Sequence, residues 1–324
     1  MAKNELEKLI KKSKIEILKT FNAAESRDFA GGFLIYNPKG SGKLKLIGGT
    51  GKDRHSYEIL TLFDRPLLKV RSKKTLFDDE SEKEVAAGVS LETVMKKTRF
   101  IEDGVCENDL KNMLYRSHGL INSLNPSLYF VIKRDFYPAS GDGSYFQSLN
   151  NEFRTEPSSS MLYESSSDID HSLSYLLPTK SEVKDPRVLN EKMLLCGKNA
   201  AGLCISLHLG NGVTVLIDGH ARAAASAMLG KKISCLCIIP ASRYMKKGFN
   251  KYTMEFASLS ASIPSLPKSY GGEGFFDISD CDKPVKFIEK LLTDKNPAFD
   301  ETPFGDLNSI KFPAIPSFAE IRKD

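Results

Sequence analysis

The residues in this chain best suited to chemistry stand together around one glycine. They are Asp218, Gly219, His220 and Arg222, in the string "LIDGHARAAASAML". Gly219 has no Cβ, so it permits a tight turn and a close backbone approach. A helix that starts there presents unpaired N–H groups in its first turn, and these with the helix dipole favour an anion such as phosphate. Arg222 falls within that turn, and its guanidinium can fork onto two phosphate oxygens. His220 can donate a hydrogen bond or shuttle a proton near neutral pH. Asp218 repels phosphate unless a cation intervenes, so it suits Mg²⁺ or a hydroxyl whose proton must leave. A plainer reading is also open: Asp218 caps the helix, Arg222 is a surface charge and His220 is a satisfied, partly buried histidine.

The elements that must position these residues follow from the pattern around them. "VTVLIDG" is β-branched and apolar and reads as a strand, "HARAAASAMLG" as a helix closed by Gly230, and "KKISCLCII" as the next strand. Strand, helix and strand in that span predict a compact βαβ-like unit. Upstream, "GLCISLHLGNGVTVLIDG" predicts a hairpin around Gly210-Asn211-Gly212, "PRVLNEKMLLCGKN" a helix with Pro186 in its first turn, and "HSLSYLLPTKSEVKDP" a short strand and a turn.

These segments resemble the ParB/sulfiredoxin-like superfamily, in which a strand runs into a short glycine- and arginine-bearing turn and a helix, and the turn binds nucleotide phosphates. The resemblance covers about residues 171–245, and "LLPTKSEVKDPRVL" is similar to the family's opening strand and first helix. Partition-type members carry a Gly-Glu-Arg-Arg turn and bind CTP. Sulfiredoxins carry Gly-Cys-His-Arg with an attacking cysteine. Free serine kinases carry Asp-Gly-His-x-Arg, and Asp218-Gly219-His220-Ala221-Arg222 is nearest to these by letters.

The resemblance implies a nucleotide-dependent phosphotransferase acting on a small hydroxyl-bearing substrate such as a free amino acid. ATP or ADP is implied, or CTP as in the partition branch, with Mg²⁺ held partly by Asp218. It further implies catalytic roles for Asp218, His220 and Glu182, and phosphate binding by Gly219, His220, Arg222, Lys180 and Ser181. The alternative it implies is a non-catalytic nucleotide-binding module, regulatory or DNA-associated.

The expected fold class is α+β: a ParB/sulfiredoxin-like mixed α/β domain at 171–245 with an additional N-terminal α+β region. Residues 1–137 form that region, 138–170 a Ser/Gly-rich linker or loop, and 246–324 a C-terminal extension. Within the first region, "GGFLIYNPKGSGKLKLIGG" predicts a hairpin, "HSYEILTLF", "RPLLKVR" and "SLYFVIKRDFY" predict strands, and "DDESEKEVAAGVSLETVMKKTRF" and "ENDLKNMLYRSHGLINSL" predict helices. The first residues predict an amphipathic helix with Leu6, Leu9, Ile10 and Leu18 near one face. In the tail, "KYTMEFASL" predicts a strand and "KPVKFIEKLL" a short helix.

Composition excludes several classes. With 41% hydrophobic and 27% charged residues the chain reads as globular, and a net charge of +5 with lysines scattered among acids offers no basic block or aromatic-lined track for nucleic acid. No run of 18 apolar residues predicts a membrane span. Gly42-Lys43 and Gly51-Lys52 lack the spacing and the following Ser or Thr of a phosphate loop. The six cysteines include no Cys-x-x-Cys pair, and Cys235 and Cys237 read as small hydrophobes on one side of a strand, which fits a reducing, cytoplasmic compartment.

Overall fold

The computed structural model describes residues 8, 10–21, 31–50, 56–72, 83–87, 109–138, 146–148, 174–177, 186–198, 202–210, 213–241, 245–247, 252–254 and 281–293. In chain order the elements are β1 (Glu16–Phe21), β2 (Gly32–Tyr36), β3 (Leu44–Thr50), β4 (Ser56–Leu62), β5 (Arg65–Ser72), β6 (Lys83–Ala87), α1 (Leu110–Arg116), α2 (His118–Ser123) and β7 (Leu128–Pro138). Then come β8 (Phe146–Ser148), β9 (Ser174–Leu177), α3 (Pro186–Gly197), β10 (Cys204–Gly210), β11 (Val213–Asp218), α4 (His220–Met228), β12 (Ile233–Pro240), β13 (Met245–Lys247), β14 (Tyr252–Met254) and α5 (Val285–Thr293). The architecture is mixed α+β.

The main sheet runs β1-β2-β7-β12-β10-β11-β9-β8, and a further β7–β8 pairing joins its far edge back to β7. The ladder from β7 through β12, β10, β11, β9 and β8 therefore closes into a ring, with β1 and β2 appended. Strands from residues 1–137 and from 171–245 are hydrogen-bonded neighbours in it, because β7 lies antiparallel to β12 from Ile233↔Phe136 to Pro240↔Tyr129. The N-terminal region thus contributes β1, β2 and β7 to the same sheet, and β8 lies inside the 138–170 segment expected to be linker or loop.

Around the candidate turn the connectivity differs from the expected βαβ unit. β10 and β11 form the expected antiparallel pair, but β10 also pairs parallel with β12, so it lies between β11 and β12. β11 and β12 are therefore neither adjacent nor parallel. Two interleaved crossovers replace the simple unit: β9 to its parallel partner β11 by way of α3 and β10, and β10 to β12 by way of β11 and α4. The hairpin supplies an extra strand, which the apolar pattern of three consecutive strand-like runs could not order.

Alternation decides the two faces of the sheet. Ile205, Leu207, Leu209, Val215, Ile217, Leu236 and Ile238 point to one face, where they pack with Leu44, Leu46, Leu60 and Leu68 of the second sheet and with Met113, Leu114, Leu120 and Ile121 of α1 and α2. Cys204, Leu216, Ile233 and Cys235 point to the other face, under Ala223 and Ala227 of α4. Further along that face, Phe130, Ile132, Cys237 and Ile239 lie under Ile288 of α5. His220 and every residue from Arg222 to Ala227 are buried. A helix enclosed on nearly all sides needs small residues to approach its neighbours, which accounts for its run of alanines.

Several expectations are corrected. The segment around Pro38 to Gly42 is not a hairpin turn, because β2 joins the main sheet while β3 joins the second sheet, of order β3-β4-β5-β6. The buried Asn37 side chain donates to Ile121 O at 2.7 Å, and the Ser41 and Gly42 amides donate to Asn122 O and Leu124 O, so this loop is fastened to the end of α2 and directed away from β2. Lys83–Ala87 is a strand where a helix was expected, since the open edge of β5 offers backbone pairing. "ENDLKNMLYRSHGLINSL" forms two helices: Ser117 turns its hydroxyl back to Met113 O and Leu114 O and closes α1. The first helix ends by Ser13, whose hydroxyl bonds Ile10 O, with Lys14 left-handed at φ 53°. Leu18 therefore belongs to β1. The strands β4, β5 and β7 and the helices α3, α4 and α5 lie where the sequence places them.

Candidate functional site

The turn is set by Gly219. Its φ of 101° and ψ of 22° lie in the left-handed region, where a side chain is strained. Space also demands glycine: a Cβ there would lie 2.6 Å from Cys204 Sγ and 2.7 Å from an Arg222 guanidinium nitrogen. Gly219 is the N-cap of α4 and, as a glycine, offers no side-chain cap. The Ala223 amide donates to Gly219 O at 2.9 Å.

Asp218 precedes the cap residue Gly219. Its Oδ2 accepts from an Arg222 guanidinium nitrogen at 3.4 Å, an i, i+4 ion pair that bridges the glycine. The Arg222 side chain is only 11% exposed, against 31% for Asp218, so Arg222 is not a surface charge. His220 is buried as well. The structure thus gathers Asp218, Gly219, His220 and Arg222 at one strand-to-helix corner. Glu182, Lys180 and Ser181 lie outside the described residues, as do Asn211 and Gly212 of the expected hairpin tip.

Beneath the corner lies a group of thiols, of which sequence patterning assigned Cys235 and Cys237 to packing and gave Cys196 and Cys204 no role. Cys204 Sγ approaches Gly219 O at 3.7 Å from β10. Cys196 Sγ approaches Arg222 O at 3.8 Å from α3, and takes a hydrogen bond from Ser226 Oγ at 3.3 Å. Cys204 and Cys235 are registered neighbours on β10 and β12. The Cys204 thiol is held well above its ordinary pKa, first by its hydrogen bond with Cys235, then by burial and by the nearby negative charge of Asp218. Cys237, one step along, is pushed up to about 11, chiefly by burial, although Arg134 and the Ser206 hydroxyl oppose this. No Cys-x-x-Cys spacing marks these residues in the sequence. What could have drawn attention to them is the glycine they pack against.

The corner can therefore hold an anion through backbone amides and a guanidinium, and Asp218 is a carboxylate at hand for a cation. Among the described residues no three of His, Cys, Asp and Glu are grouped to hold a metal ion. A Mg²⁺ ion fits only in the manner of nucleotide sites, with one carboxylate and the ligand's own phosphates. His208, which has no chemical role in sequence, lies 3.1 Å from Thr214 Oγ1 across the β10–β11 pair, a buried structural contact. Among the described residues no helix is long and apolar enough to cross a membrane. No family model, no curated protein and no solved structure matches this chain.

Proposed function

We propose that the turn from Asp218 to Arg222 binds the phosphates of a nucleotide, and that the chain is a nucleotide-dependent phosphotransferase acting on a small hydroxyl-bearing acceptor such as a free amino acid. The observation that carries this reading is the buried Arg222 guanidinium, held at the first turn of a helix whose N-cap is Gly219. In this reading β9 and α3 take the place of the opening strand and first helix that the resemblance to the ParB/sulfiredoxin-like superfamily implies, and β11, Gly219 and α4 that of its strand, turn and second helix.

In this reading the phosphate oxygens take the first amides of α4 and the Arg222 fork, which neutralise charge without covalent chemistry from the protein. Bound Mg²⁺ supplies further neutralisation, with Asp218 as its carboxylate. Glu182 is the proposed base for the acceptor hydroxyl, and Lys180 and Ser181 are proposed phosphate contacts. The test is a thermal-shift series with ATP, ADP and CTP, with and without Mg²⁺, followed by a phosphate-transfer assay on free amino acids. A ligand at about 100 times its Kd stabilises by about 2.7 kcal/mol. No stabilisation by any of the three nucleotides removes the reading.

One observation favours a second reading, in which the nucleotide is bound without chemistry as a regulatory switch. The Asp218 carboxylate already has a partner in Arg222, so its charge is accounted for without a metal or a proton transfer. Nucleotide stabilisation of the wild-type protein, with no phosphate transfer to any acceptor, selects this second reading.

A further inference from the structure

We infer that Cys204 is a positioning residue of the phosphate turn: its thiol is the floor on which Gly219 rests and through which Arg222 is held in place. This rests on the proposed binding at the turn. Three contacts meet at Gly219. Cys204 Sγ lies 3.7 Å from its carbonyl oxygen, in hydrogen-bonding range for a thiol. Both Cys204 Sγ and the Arg222 guanidinium crowd the space a Cβ would take, at 2.6 and 2.7 Å. Thiol, glycine and guanidinium are therefore stacked in contact, and the Arg222 guanidinium is in turn paired to Asp218.

The thiol must be protonated to donate to a carbonyl, and its surroundings keep it so. The neighbouring Cys235 sulfur, burial and the Asp218 carboxylate all disfavour a thiolate. The Gly219 carbonyl also closes the first helical bond, to the Ala223 amide, so a donor beneath it fixes both the turn and the helix start. Cys196 acts at the other end of the same turn, on Arg222 O.

Cys204→Ala removes the donor and opens a gap. Cys204→Ser restores a donor of similar size. The experiment follows amide hydrogen exchange along α4 by NMR and, in parallel, nucleotide affinity. A neutral hydrogen bond of about 1 kcal/mol corresponds to about fivefold. Cys204→Ala is expected to speed exchange at Ala223 by about that factor relative to the later turns of α4, and to weaken nucleotide binding similarly, with Cys204→Ser recovering both.

A general loss of stability would speed all the helix amides alike, and that outcome overturns the inference. So does nucleotide binding that Arg222→Ala abolishes while Cys204→Ala leaves it unchanged. Failure of the wild-type protein to bind any nucleotide defeats the proposed function instead, and the exchange pattern at Ala223 still decides the role of Cys204. Should Cys204→Ala not fold, the S–H stretching band of the wild type, minus that of Cys204→Ser, isolates this thiol. A hydrogen-bonded frequency supports the inference and a free one overturns it.

Discussion

Arg222 reaches back from the first turn of α4 to Asp218, the last residue of β11, and the 3.4 Å contact between them spans Gly219. The pair is neither a surface bridge nor a fully buried one. It costs desolvation on the arginine side and returns a long contact, so its net contribution to stability is small. Its consequence is geometric. The guanidinium is kept over the helix start and out of solvent, where phosphate would find it already in position.

The first prediction separates the two partners. Arg222→Ala should abolish nucleotide-induced stabilisation while costing the free protein roughly 1–3 kcal/mol, because Asp218 loses a charged partner. Asp218→Asn should keep nucleotide binding in the absence of Mg²⁺, since it removes a negative charge from beside the phosphates, and should abolish any further gain on adding Mg²⁺. Urea denaturation and thermal shift, with and without the metal, measure both. An Arg222→Ala protein that still responds to nucleotide would exclude this turn as the binding site.

The second prediction concerns the glycines that bound α4. Gly219→Ala combines a left-handed φ with Cβ clashes against Cys204 and Arg222, so it should destabilise by roughly 1–3 kcal/mol and lose ligand response. Gly230 also has a positive φ, 64°, but a Cβ there would meet nothing within 4 Å. Gly230→Ala should therefore cost only the left-handed penalty, about 1 kcal/mol, and leave the ligand response intact. Equal effects at the two positions would show that crowding at Gly219 is irrelevant.

The corner itself was legible in sequence because its signals are local. An apolar strand, a glycine and an alanine-rich helix occupy consecutive residues, and β11, Gly219 and α4 fall where they should. What was not legible depends on partners far along the chain. Residues 32–50 contain two strand-like runs and a turn, which is a hairpin by every local rule, yet Asn37 is bonded to α2 some 84 residues away and the two strands part. The parallel β10–β12 pairing, which separates β11 from β12, is likewise set by tertiary contacts. The thiols at the site escaped notice for the same reason. Cys196, Cys204 and Cys235 are spread over 40 residues and converge only through the crossovers.

A third prediction tests that diversion of the chain. Asn37 is fully buried, donates to Ile121 O at 2.7 Å and to Asn125 O at 3.3 Å, and its own amide bonds Ser127 O. Asn37→Leu retains approximate volume and removes the side-chain donor, leaving the Ile121 carbonyl at the end of α2 without it. The expected loss is roughly 1–3 kcal/mol. It should appear as a lowered urea midpoint with an unchanged m-value, with faster amide exchange at Ser41 and Gly42. A neutral outcome would mean that apolar packing alone directs β2 and β3 into separate sheets.

The last prediction is the pH dependence of stability, and its sign follows from the buried thiols. In the folded protein Cys237 is pushed up from an ordinary 9.0 to about 11, chiefly by burial, and Cys204 is raised well above its ordinary value by Cys235 and by burial. The buried Tyr129 hydroxyl, which donates to Asn125 O at 2.8 Å, is also raised by burial. Each group stays protonated in the folded state at pH values where the unfolded chain already releases its proton. Below about pH 9 neither state ionises at the thiols, and their contribution to stability is fully present. Above it the unfolded state gains from ionisation, so stability falls by about 1.4 kcal/mol per pH unit for each such thiol until the folded-state value is passed. Urea midpoints should therefore be level at neutral to mildly alkaline pH and drop steeply from about pH 9. Cys237→Ala should remove one thiol's share of that slope, whatever it costs at neutral pH. A slope unchanged by Cys237→Ala would show that this thiol ionises alike in the folded and unfolded chains, contrary to its burial against β7 and α5.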